Sequence, residues 1–201
     1  MKIKSNARMP QPTQKNITHF VEAIEELPPA HRMAARHFAK QVGARGVFDI
    51  LHSMRRWYSG QTMARKLLVH HDDLREVMDI EPCHVLGVYR GFKVPVDNAL
   101  AKLKVGQEIL LPVRLNHGFS SWSTTEAPTN QFSGGGKGKV GLIVQLISEQ
   151  GVTPVLAPPN RTRPWFNALY THAIGSSFRL KEGEYLIAAP KVRVRVIRVK
   201  T

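Results

Sequence analysis

Val192-Arg193-Val194-Arg195-Val196-Ile197-Arg198-Val199 reads as a strand buried on one side only. Val192, Val194 and Val196 fall on one face, and Arg193 and Arg195 on the other, the period of two that a pleated strand imposes. The alternation slips at Ile197, which marks a place for a β-bulge. Working back from this strand, similar β-type runs separated by Gly- and Pro-containing turns extend to about Pro82. They are His84–Lys93, Glu108–Arg114, Val140–Ser148 and Glu184–Ala189. Short helices are expected near Asp97–Leu103, Thr125–Phe132 and Trp165–Ala173.

Before Pro82 the period changes from two to that of a helix. Phe20, Ile24 and Leu27 recur at helical spacing, and Pro28 and Pro29 stop that helix and open the next. Met33, Ala34, Phe38 and Val42 continue the pattern to Gly43. Val47, Ile50, Leu51, Met54, Trp57 and Tyr58 form the clearest apolar stripe, ended by Gly60. A fourth helix is expected through Met63, Leu67, Leu74, Val77 and Met78. The organisation expected is a loose arm (1–15), a helical part (16–82) and a β-rich core (83–201), integrated in one domain. Helices followed by a mostly antiparallel β region make the fold class α+β.

Length and composition agree with one substantial domain. The chain has 201 residues, of which 42% are hydrophobic, enough for a real core. It carries 29 Lys and Arg against 15 Asp and Glu, a formal net charge of +14. A balance so basic suits an anionic partner such as nucleic acid, an acidic protein or a phosphorylated small molecule. The single cysteine, Cys83, rules out an internal disulfide and a multi-cysteine zinc site. At the start of a strand-like run it reads as a small buried hydrophobe. Met1–Gln14 is basic with no apolar stretch behind it, so no signal peptide is expected, and no run approaches the length of a membrane span. These features suggest a reducing cytosol.

Three segments carry chemistry. Tyr89-Arg90-Gly91 ends the first strand; a guanidinium grips a pyrophosphate through paired N–H groups, and glycine lets a ligand approach the backbone. Phe119-Ser120-Ser121-Trp122-Ser123-Thr124-Thr125, followed by Phe132, is a hydroxyl cluster that can cap a helix or orient a ligand and a carboxylate. The Phe132 ring suits a flat ligand ring and a small core equally. Glu182-Gly183-Glu184-Tyr185-Leu186-Ile187 puts two carboxylates at i and i+2, on one side of an extended segment. Each alone has an ordinary reading: a solvated arginine, a helix cap, a charged turn.

Taken in order, an arginine on a first strand, S-x-S before a helix with an aromatic, and E-x-E opening a late apolar strand, this chain resembles the Arg–Ser–Glu class of mono-ADP-ribosyltransferases. It is most similar to small phage-encoded enzymes of the Mod type. The resemblance covers Val85 to Val199. It implies N-terminal helices packed on a split antiparallel β-sandwich, and NAD as co-substrate with no metal. It implies that Arg90 holds NAD through a phosphate and that the Gly91 backbone meets the nicotinamide amide. Ser121 would position Glu184, which would stabilise an oxocarbenium-like transition state. Glu182 would face the acceptor, and a carboxylate there suits the arginine of a target protein. Ser123-Thr124-Thr125 is a second register of the hydroxyl motif; the spacing of Ser123 to Phe132 favours Ser121. Arg161, Trp165 and Phe166 lie where such enzymes carry a target-recognition loop, with packing an alternative for the aromatics. The glycine-rich Ser133–Lys139 loop reads as an insertion.

A metal at His70-His71-Asp72-Asp73 is disfavoured, because adjacent helical residues diverge around the axis. No metal-spaced histidines, Walker loop or G-x-G-x-x-G occur, so NAD binding would not be of the Rossmann type. The competing function is a basic nucleic-acid-binding or virion-associated phage protein without catalysis. Lys191, Arg193, Arg195, Arg198 and Lys200, and the run Arg55-Arg56-Trp57-Tyr58, suit phosphate contact. The enzyme reading places the protein in the cytoplasm of a bacterial host, with delivery in a virion left open.

Overall fold

The computed structural model describes residues 14–58, 64–113, 119–174 and 183–201. The order is helices first: α1 (Gln14–Glu25), α2 (Pro29–Tyr58), α3 (Ala64–Val69) and α4 (His71–Val77). Strands β1 (Tyr89–Pro95), β2 (Glu108–Pro112), β3 (Phe119–Ser123), β4 (Lys139–Leu146) and β5 (Thr153–Leu156) follow. Helix α5 (Pro164–Ile174) precedes β6 (Glu184–Ala188) and β7 (Lys191–Lys200). The chain is therefore α+β.

Proline starts α2 where it was expected, since Pro29 has no N–H to lose at a first helical turn. Arg32 closes the end of α1 by donating to the Leu27 carbonyl through Nε (3.2 Å) and Nη2 (2.9 Å). Gly43 (φ 73°, ψ 157°) breaks α2 into two helical pieces, as the sequence marked. The stripe Val47, Ile50, Leu51 and Met54 is buried. The expected fourth helix is two, interrupted at His70.

Among the described residues seven strands form one antiparallel order, β2-β7-β4-β1-β3-β6-β5. The expected sandwich of two sheets is instead a continuous ladder with a narrow middle. β1 runs seven registered pairs along β4, but meets β3 only at Tyr89↔Ser123. This seam separates a four-stranded half (β2-β7-β4-β1) from a three-stranded half (β3-β6-β5). On β7, Val192, Val194 and Val196 are buried. The register with β4 shifts between Ile143 and Val144, facing Arg198 and Val196, so Ile197 is the extra residue of a bulge.

Several expected elements differ. The run His84–Lys93 is a 3-10 turn (Pro82–Val85) followed by β1, because Pro82 opens a turn and Gly87 takes a positive φ of 84°. Cys83, on that turn, is exposed rather than a buried hydrophobe. The short helices near 97–103 and 125–132 are single 3-10 turns, Ala99–Lys102 and Ala127–Gln131. β3 and β5 were not expected as strands: serines and a proline mask their β character, and pairing with β6 supplies it.

One core joins the helices to the sheet. Phe38 of α2 meets Phe166 of α5 edge-on at 5.7 Å and Trp165 at 5.6 Å. No helix among the described residues is long and apolar enough to cross a membrane.

Candidate functional site

The site lies at the seam. Ser123 of β3 faces Tyr89 of β1 on one side and Glu184 of β6 on the other. Residues directly opposite in an antiparallel ladder share a face, so Tyr89, Ser123 and Glu184 stand in a cross-strand row. Ser121, two residues back, is on the same face but opposite Leu186. The ladder therefore puts Ser123, rather than Ser121, beside Glu184. Ser123 Oγ accepts the Thr125 N–H at 3.2 Å.

The E-x-E glycine completes this packing. Gly183 takes φ 57°, and a Cβ there would stand 2.1 Å from Thr124 Oγ1. The Thr124 N–H donates to the Gly183 carbonyl at 3.0 Å, extending the β3–β6 contact past Glu184. Glu182 lies outside the described residues.

Arg90 follows Tyr89, so alternation turns it to the opposite side of the sheet, the side of Trp122 and Tyr185. Its guanidinium lies 5.9 Å from the Trp122 ring centroid. Trp122 is held for this contact by its indole N–H, which donates to Ser120 Oγ at 2.8 Å. Arg90 is half-buried, and burial pulls its pKa down to about 10, leaving it charged at neutral pH. No carboxylate pairs with it among the described residues. The structure thus brings Ser121, Ser123 and Glu184 together, and leaves Arg90 at the seam, one residue from their row, on Trp122.

Gly91 also has a packing role beside the expected close approach of a ligand. A Cβ on it would stand 2.1 Å from the Thr129 carbonyl oxygen, and one on Gly141 would stand 1.6 Å from that of Ser133. The two glycines let the segment from the Ala127–Gln131 turn to Ser133 lie flat over β1 and β4. Phe132 ends that turn and is 57% exposed, so it is not a core residue. The glycine loop after it packs on the C-terminus, with Gly135 against Thr201.

The residues expected to recognise a target lie elsewhere. Arg161 Nη1 donates to Asp79 Oδ2 at 2.6 Å, and the Asp79 N–H donates to the Arg161 carbonyl at 2.7 Å. That contact with Asp79 holds the Arg161 pKa above its ordinary value, and the Tyr185 hydroxyl acts on it too. Tyr185 alternates away from Glu184, so Arg161 belongs to the reverse side of β6. Phe166 is fully buried and packs the core; Trp165 is half-buried against Phe38. Neither aromatic reaches the Glu184 row.

Sequence reading passed over Tyr89 and Trp122. Their signal was present in the motifs quoted for Arg90 and Ser121, but only the strand register shows which face each occupies. His71 Nε2 lies 3.1 Å from the Pro154 carbonyl, and His70 Nδ1 lies 3.3 Å from Asp73 Oδ2. Among the described residues no three His, Cys, Asp or Glu side chains could hold one metal ion. No family model, no curated protein and no solved structure matches this chain.

Proposed function

We propose that the protein is an NAD-dependent mono-ADP-ribosyltransferase that modifies arginine on proteins of a bacterial host, in the host cytoplasm. One observation carries this reading. The three segments that resemble the Arg–Ser–Glu motif are far apart in sequence, yet occupy three neighbouring strands, with Tyr89, Ser123 and Glu184 in register. Half-buried Arg90, with no carboxylate partner among the described residues, supports it further, since a desolvated cation at such a place favours an anion such as the pyrophosphate of NAD.

In this reading Glu184 holds the ribose next to the nicotinamide and places a fixed negative charge beside the developing oxocarbenium ion. Ser123 orients that carboxylate, the role the resemblance alone assigned to Ser121. The C–N bond to nicotinamide breaks, nicotinamide leaves neutral with the bonding pair, and an arginine nitrogen of the target attacks the ribose carbon. Glu182 takes the proton that this nitrogen releases. Arg90 grips the pyrophosphate, which requires its guanidinium to turn off Trp122 across the seam. Phe132, exposed above β1, offers its ring to NAD.

The test is nicotinamide release from NAD by purified protein. Glu184→Gln is expected to lower it at least about 100-fold with the circular dichroism spectrum unchanged. Ser123→Ala should lower it more than Ser121→Ala. Wild-type protein with neither turnover nor an NAD-dependent thermal shift would overturn the enzyme reading and leave a non-catalytic binder. Equal loss in the two serine variants would overturn the choice of Ser123.

A further inference from the structure

The bulge on β7 decides which side of the sheet carries positive charge. In a regular strand, the residue after Ile197 would join Val192, Val194 and Val196 on the buried face. Because Ile197 is looped out, Arg198 faces Ile143 and Lys200 faces Gly141, while Arg195 faces Gln145. These β4 partners alternate at every second residue, so Arg195, Arg198 and Lys200 share one face with Arg193 and Lys191. Val199 rejoins the apolar side, facing Leu142. The result is five cations in a line about 26 Å long, spaced by about 6.6 Å except at the bulge.

Lys93 faces Gly141 across β1–β4, and Lys139 faces Pro95, so both join the same face. Two carboxylates are paired there: Glu108 with Arg195 Nη2 at 2.7 Å, and Glu126 with Arg198 Nη2 at 2.8 Å. Lys200 Nζ donates to Asn130 Oδ1 at 2.6 Å, a neutral partner. Lys191, Arg193, Lys93 and Lys139 are exposed and have no carboxylate partner among the described residues.

We infer that the β7 side of this face, beside the Ala127–Ser133 segment that lies over β1 and β4, binds the backbone of a single-stranded nucleic acid. A line of cations every 6.6 Å or so matches every second phosphate of one strand, whose phosphates rise about 3.4 Å each when stacked. The strand presents no projecting helix or ribbon to enter a duplex groove, whereas a line of cations with an exposed aromatic beside it suits a single strand with unpaired bases. Phe132, two residues from Asn130 and exposed, borders the Lys200 end. The inference does not require NAD turnover, but it shares Phe132 and the face of the Glu184 row with the transferase reading.

The experiment is fluorescence anisotropy of a labelled oligothymidylate titrated with full-length protein over a salt series. Binding should weaken with salt at a log–log slope of about −3, from about −0.7 per phosphate neutralised. Lys191→Gln with Arg193→Gln should flatten the slope by about 1.4 and weaken binding about tenfold at 0.1 M salt. Lys40→Gln with Lys102→Gln, which removes equal charge off this face, should change affinity less than about twofold. Glu108→Gln frees Arg195 and should tighten binding. Equal loss in the two double variants would show that net charge alone binds, and would overturn the inference. So would a salt-independent affinity, tighter binding of a duplex of the same length, or tighter binding of vesicles containing anionic lipid.

Discussion

Arg90 carries a charge that no carboxylate among the described residues neutralises. It is half-buried, its best neighbour is the face of Trp122, and burial alone lowers its pKa to about 10. A group whose folded pKa lies below its unfolded value, and which is charged in the usual working range, weakens the fold throughout that range. Stability recovers only as pH rises from about 10 toward the ordinary arginine range. Arg90→Met keeps the stem over Trp122 and deletes the charge. It is expected to raise the unfolding free energy in urea by about 1 kcal/mol and, under the proposed function, to abolish nicotinamide release from NAD. A destabilised Met variant would mean that the guanidinium is a structural group rather than a waiting ligand site.

Strand β7 shows how an element absorbs an irregular sequence. Lys191–Lys200 has one residue too many for strict alternation, and the bulge at Ile197 takes it up. Deleting Ile197 leaves valine and cation in unbroken alternation. The deletion is therefore expected to fold, to melt within a few degrees of the wild type, and to keep its affinity for oligothymidylate. Loss of the fold on deletion would show that the bulge is needed for the local twist against β4 rather than for facing. The turn Ala127–Gln131 is a second such case. It lies over β1 and β4 only because residues 91 and 141 are glycines, and this close approach fixes where Phe132 and Glu126 stand.

At the scale of the whole molecule, α5 ties the two parts of the chain together. It comes from the β-rich region but packs on α1 and α2, and His19 Nε2 lies 3.1 Å from the Ala173 carbonyl. Tyr170 of α5 is buried, and burial raises its pKa to about 12. The folded state keeps this phenol protonated where the unfolded chain, with a pKa near 10, has lost its proton. The stability it contributes is complete below about pH 10 and disappears as pH rises through about 12. Alkaline unfolding should fall in this window, with tyrosinate absorbance rising together with the loss of helical circular dichroism. Tyr170→Phe should move the midpoint upward. Tyrosinate appearing well before helix loss would show that Tyr170 is not a linked group.

The amino-acid sequence by itself determined the class of each half. Local period is a property of neighbouring residues, so the apolar stripe ending at Met54, the proline start of α2, the break at Gly43 and the slip at Ile197 could all be read directly. The segments around Arg90, Ser121 and Glu184 were singled out by their order along the chain, through the resemblance to the Arg–Ser–Glu class. What only the tertiary structure decided is who faces whom. Strand order and register arise from pairing across long stretches of chain, and one step of register moves every side chain to the other face. Hence Ser123 rather than Ser121 meets Glu184, Arg90 rests on Trp122, and Phe166 disappears into the core. β3 and β5 became strands because β6 offered them an edge, which no reading of their own residues could supply.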